Sequence, residues 1–197
     1  VSKVSGTQIA GLTTTTVAEL ADTQIAALSD TQIGSLSPDQ IGTLTTTEVQ
    51  ALTTTQEGGL TAAQLGGLTT AELGLFSTTQ IGDLNTAQVQ GLTTTQLNTI
   101  GTDQLDALNL SEFSTDQIGG LNTTSITKLT EAQVGTLTAT QVPSLSADQL
   151  GALTTTEFGN LTADQAGALT STQIAGLSTA LFASLSATTG IPSLTTD

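Results

Sequence analysis

The stretch Leu36-Ser37-Pro38-Asp39-Gln40-Ile41 contains the signals that begin an α-helix. Its serine is a favoured N-cap, its proline suits the first helical position, and its aspartate lies near the positive end of the helix dipole. Gln40 stands three residues after Ser37, the spacing of a capping box, in which each side chain accepts a hydrogen bond from the other residue's backbone amide. Its leucine and isoleucine have the five-residue spacing of a hydrophobic staple. The stretch therefore predicts a helix that begins at Pro38.

The same pattern recurs every eight residues along the chain, and we call each repeat an octad. An Ile-type residue is followed by Leu three residues later, and the next Ile-type residue comes five residues after that. Ser or Thr recurs at the N-cap, usually with Gln or Glu three residues later. The register is shown by the pairs Ile9/Leu12, Val17/Leu20, Ile25/Leu28, Ile33/Leu36, Ile41/Leu44, Ile81/Leu84, Val134/Leu137, Leu150/Leu153 and Ile174/Leu177, with aromatic variants at Leu73/Phe76, Phe158/Leu161 and Phe182/Leu185.

The spacing of the apolar residues predicts a helical turn, because inward residues of a strand would be two apart. A continuous helix cannot hold an eight-residue period, since at 3.6 residues per turn the apolar pair would rotate by roughly 80° per octad. We therefore predict a repeat solenoid, mostly α, in which short helices of one to two turns coil into a superhelix. The alternative is a β-solenoid, which the Thr content would suit. Pro143 and Pro192 argue against the helical interpretation, because proline inside a helix removes a backbone hydrogen bond, unless their octads are single turns.

A single octad buries too little apolar surface to fold alone, so the octads must stack along a common axis. Two or three octads per superhelical turn would suit such stacking, but the sequence does not fix the number. The domain prediction is one continuous octapeptide-repeat array over residues 1–197, irregular near 109–113 and 186–191, where Leu110/Phe113 is shortened and Ile191/Leu194 arrives one residue late. No terminal cap is visible, so we expect a segment or subunit of a longer assembly, with further repeats of the same chain or self-association as its partner.

Composition excludes most functions other than a scaffold. Seventeen acidic residues against two lysines give a net charge of −15, which disfavours nucleic acid and anionic membranes. Without Cys or His, the chain lacks the commonest metal ligands and the usual general base. It has no apolar run long enough for membrane insertion. We therefore predict that the protein is not an enzyme and has no catalytic, cofactor or metal site.

Three features of the sequence could be binding sites, and each also has a simpler structural explanation. Aspartates just inside helix starts could form a calcium ladder, but interaction with the helix dipole is favoured. Glu57 replaces the Ile of its octad and either faces the core or, as the favoured alternative, loosens the octad and reaches water. Rows of Thr could bind ice or a polysaccharide, although capping and solvation explain them more simply. The aspartates are Asp22, Asp30, Asp39, Asp103, Asp116, Asp148 and Asp164.

The repeated Leu-Thr-Thr-Thr-Gln motif, as at Leu92 to Leu97, resembles the Thr/Gln/Leu-rich short-repeat arrays of large bacterial surface or secreted proteins, often adhesin-like. The resemblance covers almost the whole chain and identifies no binding residues. It implies an extracellular or cell-surface location and a structural role as a rod, filament or adhesin-stalk segment that assembles head to tail. The alternative function is an ice- or polysaccharide-binding module with an extracellular glycan as partner.

Overall fold

A computed structural model describes residues 3–188, and within that range every regular element is helical. The chain divides into two compact units, Val1–Leu108 and Asn109–Asp197, and the boundary falls at the shortened octad. The single continuous array over residues 1–197 remains a prediction. The late pair Ile191/Leu194 and Pro192 lie outside the described residues, as do residues 189–191 of the predicted irregularity near 186–191.

The first unit contains thirteen short helices within its described residues. They are α1 (Gly6–Ala10), α2 (Thr14–Ala18), α3 (Asp22–Ile25), α4 (Asp30–Ile33), α5 (Pro38–Ile41), α6 (Thr46–Gln50), α7 (Thr54–Gly58), α8 (Ala62–Gly67), α9 (Thr70–Leu73), α10 (Thr78–Gly82), α11 (Thr86–Gly91), α12 (Thr94–Thr99) and α13 (Thr102–Ala107).

The second unit contains eight α-helices and two single 3-10 turns within its described residues. The turns are Leu110–Glu112 and Val142–Ser144. The helices are α14 (Thr115–Gly120), α15 (Thr123–Ile126), α16 (Glu131–Thr136), α17 (Ala147–Ala152), α18 (Thr155–Gly159), α19 (Ala163–Gly167), α20 (Ser171–Gly176) and α21 (Thr179–Thr188).

The predicted caps begin these helices. At Ser37 the backbone is extended (φ −73°, ψ 161°), its hydroxyl accepts a hydrogen bond from the Gln40 amide, and α5 starts at Pro38. The extended N-cap turns the chain, so one helix ends and the next begins within eight residues. Pro143 lies in the 3-10 turn Val142–Ser144, which confirms that its octad is a single turn. The α-solenoid prediction is confirmed, and the β-solenoid alternative is wrong for residues 3–188, which contain no strand.

The Ile and Leu positions of the octads form the core of each unit. Ile33 is fully buried and Leu36 is 3% exposed, and their counterparts in the interior octads are similarly buried. Near the ends of the described range burial is less complete: Ile174 is 36% exposed, and Leu12 and Leu20 are only half-buried, although Ile9 and Val17 of the same octads are fully buried. The two apolar positions are therefore buried together in the interior octads but unequally near the ends of the described range.

The superhelical turn has between three and four octads. In the first unit α4 packs against α7 and α8 against α11, three octads along, and in the second unit α17 packs against α20. Side-chain hydrogen bonds between turns join residues 28 apart, as from Gln64 to Leu36, which is three and a half octads. This is more than the two or three octads that the sequence suggested without fixing the number. The described residues contain no helix with the length and apolar character needed to cross a bilayer.

Candidate functional site

The Gln side chain of each octad has two roles, and only one of them follows from local sequence. In α8 the Oε1 atom of Gln64 accepts a hydrogen bond from the Thr61 amide at 2.7 Å, and the Gln64 amide donates to Thr61 Oγ1 at 3.2 Å. This is the capping box predicted from the sequence, and it recurs at most helix starts. It satisfies two of the amides that a helix N-terminus leaves without partners.

The other end of the same side chain binds the preceding superhelical turn. Gln64 Nε2 donates to the carbonyl oxygens of Ile33 and Leu36, both at 2.7 Å. The acceptors are thus the Ile and Leu positions, 31 and 28 residues earlier. We call this series of bonds the glutamine ladder. Both acceptors are bound by Gln56, Gln88 and Gln96 in the first unit and by Gln141, Gln149, Gln165 and Gln173 in the second.

The ladder satisfies polar groups that the solenoid would otherwise bury. Leu36 ends one octad and precedes the next N-cap, so its carbonyl has no partner within its own helix. Gln64 is only 2% exposed, and a buried amide without acceptors would be costly. One glutamine therefore caps its own helix at the N-terminus and a helix of the preceding turn at the C-terminus. This ties the local fold of each octad to the stacking of the turns.

Sequence reasoning missed this second role, although a signal was present. A capping box accepts Glu as readily as Gln, and the helix dipole would favour the negative charge of Glu. Gln nevertheless predominates at this position, and Glu occupies it in the regular capping boxes of only three helices, at Glu48, Glu72 and Glu157. The preference for an uncharged donor indicates that the amide nitrogen has an acceptor outside its own helix.

The ladder is interrupted where another residue replaces Gln. Glu48 is buried, with 6% exposure, and its Oε2 accepts from the Thr45 amide and hydroxyl at 2.7 and 2.9 Å. Ser125 is buried, and its hydroxyl oxygen has no hydrogen-bond partner among the described residues. Gln8 and Gln24 are exposed, because no preceding turn is described beside them. At these positions the helix still begins, but the side chain does not make the ladder hydrogen bond to the preceding turn.

Glu57 faces the core and does not loosen its octad. Helix α7 remains intact around it, and the residue is 6% exposed. Its Oε1 accepts a hydrogen bond from Gln80 Nε2 at 2.7 Å, which also donates to the Val49 carbonyl at 2.7 Å. The carboxylate thus takes the place of the second carbonyl that a ladder glutamine usually binds. Local loosening was the favoured expectation, and the hydrogen bond from Gln80 explains why burial occurs instead.

The predicted Asp and Thr positions are spread along the array and not gathered into a site. Each of the seven aspartates lies in the first turn of a different helix, as Asp39 does in α5. No group of three or more acidic, His or Cys residues that could hold a metal occurs among residues 3–188. The N-cap threonines use their hydroxyls as acceptors for capping, whereas those at the next two positions, such as Thr46 and Thr47, are exposed.

Two concave features occur in the second unit. An apolar cavity of about 10 Å³ lies in its core, lined by residues that include Leu110, Ile118 and Leu129. A cavity of this size has room for about one water molecule, but its lining offers no polar partner that would hold one. A wider, open groove is lined mostly by small residues, with Asp148 as the charged one. Neither holds the paired groups that acid–base or nucleophilic chemistry requires.

These features define a class of protein, the α-helical repeat solenoid, here with turns joined by a glutamine ladder. Residues 147–179 match the family model of the ALTTAQ repeat, a stretch that contains α17 to α20. The match supports a repeat protein over that stretch. No curated protein and no solved structure matches the chain significantly.

Proposed function

We propose that this chain is an extracellular structural protein, a segment of a rod, filament or adhesin stalk. The observation that carries the proposal is the glutamine ladder, in which the main buried polar side chain of an octad binds the preceding turn of the same array. Every turn then offers the next one the same pair of carbonyls. Such a design allows length to be added without a new kind of contact, which is the property of a spacer.

The surface chemistry supports the same proposal. A net charge of −15 on 197 residues keeps the surface solvated, and it makes the lateral surfaces of two arrays repel each other. Most hydrogen bonds that join turns are instead uncharged and run from a Gln amide to backbone carbonyls, with the bond from Gln80 to the Glu57 carboxylate as an exception. Further repeats or another copy of the chain are the partners that this chemistry fits, because they present the same Leu carbonyls and the same glutamine amides.

Small-angle X-ray scattering of tandem copies tests the spacer role. Proteins of one, two and three copies of residues 1–197, joined without a linker, are expected to increase in maximum dimension in proportion to copy number at constant cross-section. Electron microscopy of the same samples reports filaments from head-to-tail assembly. A maximum dimension that stays nearly constant as copies are added would mean that the array folds back into a globule, and it would overturn the proposal.

The location is tested separately, on cells that make the protein. Antibodies raised against the array are expected to label intact cells, and protease added outside the cells is expected to remove the label. Label that appears only after the cells are opened would contradict the extracellular assignment, and it would leave the spacer role to be judged by scattering.

The exposed threonines support a second candidate function, in which the array binds ice or an extracellular polysaccharide. Their hydroxyls at the two positions after the N-cap are not needed for capping, as Thr54 and Thr55 of α7 show. Thermal hysteresis measurements and glycan arrays test this function. Activity that is lost when these threonines are replaced by bulky residues, while the helical circular dichroism is unchanged, would favour the binding module over the spacer.

A further inference from the structure

Helix α20 is bound to the preceding turn of its unit but leaves its own acceptors open. Gln173 Nε2 donates to the carbonyls of Val142 and Leu145 at 2.8 and 2.7 Å. The equivalent carbonyls of α20 belong to Ile174 and Leu177, and no side chain among residues 3–188 donates to either of them. Ile174 is 36% exposed, although its counterparts in the interior octads are fully buried. We call these two carbonyls, with the Ile174 side chain, the acceptor face.

Helix α1 of the first unit is open on the opposite side. Its octad is bound by the following turn, because Gln40 Nε2 donates to the Leu12 carbonyl at 2.6 Å. Gln8 uses Oε1 to accept from the Ser5 amide at 2.9 Å, as the ladder glutamines do at their own caps. The Gln8 side chain is exposed, and its Nε2 atom has no hydrogen-bond partner among the described residues. We call the Gln8 amide group the donor face.

The donor face and the acceptor face are the two halves of the contact that stacks the interior turns. In that contact one turn supplies a glutamine amide and the other supplies an Ile and a Leu carbonyl, as Gln64 does with Ile33 and Leu36. The polar groups satisfy each other where they are buried, and the Ile side chain is covered at the same time. Each face fits the other and neither fits itself, so the contact that they define is head-to-tail.

The distribution of charge favours this pairing over other contacts between copies. Residues 165–196 contain no charged residue, and neither do residues 4–18, although the chain has a net charge of −15. The stretch 165–196 is the longest without charge, and it exceeds the 28 residues that separate bonded turns. Gln24 of α3 is also exposed, but Asp22 begins its helix. The octads of α1 and α20 therefore approach each other without the repulsion between carboxylates that lateral contacts would bring.

We propose that Gln8 of a second copy of this chain docks on α20 and donates its amide hydrogens to the carbonyls of Ile174 and Leu177. The inference rests on the proposed function and specifies the contact by which separate copies join into a rod. Covalent connection gives the turns of one chain an effective concentration near the millimolar range, and a contact between copies lacks this advantage. Association is therefore expected at high protein concentration, about 0.1–1 mM.

Sedimentation equilibrium of the full chain, followed by interference optics, tests the inference. The average mass of the unmodified chain is expected to rise with concentration from the monomer to its multiples. Gln8→Glu places a carboxylate against two carbonyls, and Ile174→Asp places one in the acceptor face, so each should weaken association at least about thirtyfold. Thr55→Glu is the control, because it adds the same charge at an exposed residue of α7 outside both faces, and it should associate like the unmodified chain.

A mixture of the two interface variants is the decisive sample, because each variant keeps one intact face. Gln8→Glu keeps the acceptor face and Ile174→Asp keeps the donor face, so they are expected to form a one-to-one complex that grows no further. Ala175→Glu, at an exposed residue of α20, replaces Ile174→Asp if that variant loses helical circular dichroism.

Three results overturn the inference: an unmodified chain that stays monomeric, a Gln8→Glu variant that associates as well as the unmodified chain, and a mixture that stays monomeric. Scattering by the tandem copies does not depend on these results, because its copies are joined covalently. A failure of docking is therefore distinguishable from a failure of the spacer role.

Discussion

The first octad of the described array and an octad in its interior make the same cap but differ in what the glutamine does next. Gln8 Oε1 accepts from the Ser5 amide at 2.9 Å, and Gln64 Oε1 accepts from the Thr61 amide at 2.7 Å. Gln8 is exposed, whereas Gln64 is 2% exposed and donates to two carbonyls of the preceding turn. The cap is therefore local, and the ladder exists only where two turns are stacked.

The largest effect is expected when the ladder donor becomes an acceptor. Gln64→Glu keeps the capping box but places a buried carboxylate against the carbonyls of Ile33 and Leu36, and it should destabilise the first unit by about 3–5 kcal/mol, as an uncompensated buried charge does. Urea denaturation followed by far-UV circular dichroism measures the change. The chain has no Trp and no Tyr, so fluorescence is unsuitable.

Gln8→Glu is the matched control for this prediction. The exposed side chain can turn into water, and its charge lies near the positive end of α1, so the change in unfolding free energy should be within about 0.5 kcal/mol. Equal destabilisation by the two substitutions would mean that the cap, and not the contact between turns, makes Gln necessary.

The caps and the helix starts could be predicted from sequence because they depend on residues within one octad. Ser37, Pro38 and Gln40 have the assigned roles in α5. The number of octads per turn could not be predicted, because it depends on contacts between residues 28 and 31 apart that no local pattern encodes. For the same reason the second bond of Gln64 was missed, although the preference for Gln over Glu was a visible sign of it.

The next largest effect is expected where glycine allows the turns to approach. Gly66 and Gly151 both follow the Ile-type residue of their octads. A side chain at Gly66 would collide with the carbonyl oxygen of Gly91 in the following turn, whereas space is open at Gly151. Gly66→Ala should destabilise by about 1–3 kcal/mol through overpacking. Gly151→Ala should stabilise by about 0.5–1 kcal/mol, since alanine favours the helix.

Thermal and urea denaturation of the two glycine variants compare them directly. Opposite signs are the expected outcome. Stabilisation by both would mean that the turns are farther apart than the structure places them, and that glycine here serves only chain flexibility.

The caps should contribute equally at the edge and in the interior, which sharpens the contrast with the ladder. Ser5 and Ser77 each accept from the amide three residues later, at 3.3 Å in both octads. Ser5→Ala and Ser77→Ala should each reduce the local stability of their octad by about 1 kcal/mol, the usual value of an N-cap. Native-state hydrogen exchange at α1 and α10 measures it octad by octad. A much larger loss at Ser77 would show that capping and stacking are energetically coupled.

The smallest effect is expected at Ser125, where the ladder position holds a hydroxyl that cannot reach an acceptor. The α15 cap uses the backbone amide of this residue, which donates to Asn122 Oδ1 at 2.8 Å, so Ser125→Ala leaves the cap intact. It removes a buried hydroxyl that has no partner among the described residues. The second unit should become more stable by about 0.5 kcal/mol, because an unpaired buried polar group is replaced by an apolar one. The sign is opposite to that of Ser77→Ala, and far-UV circular dichroism of urea unfolding decides it. Destabilisation would mean that the hydroxyl binds a buried water molecule, which then takes the place of the missing glutamine amide.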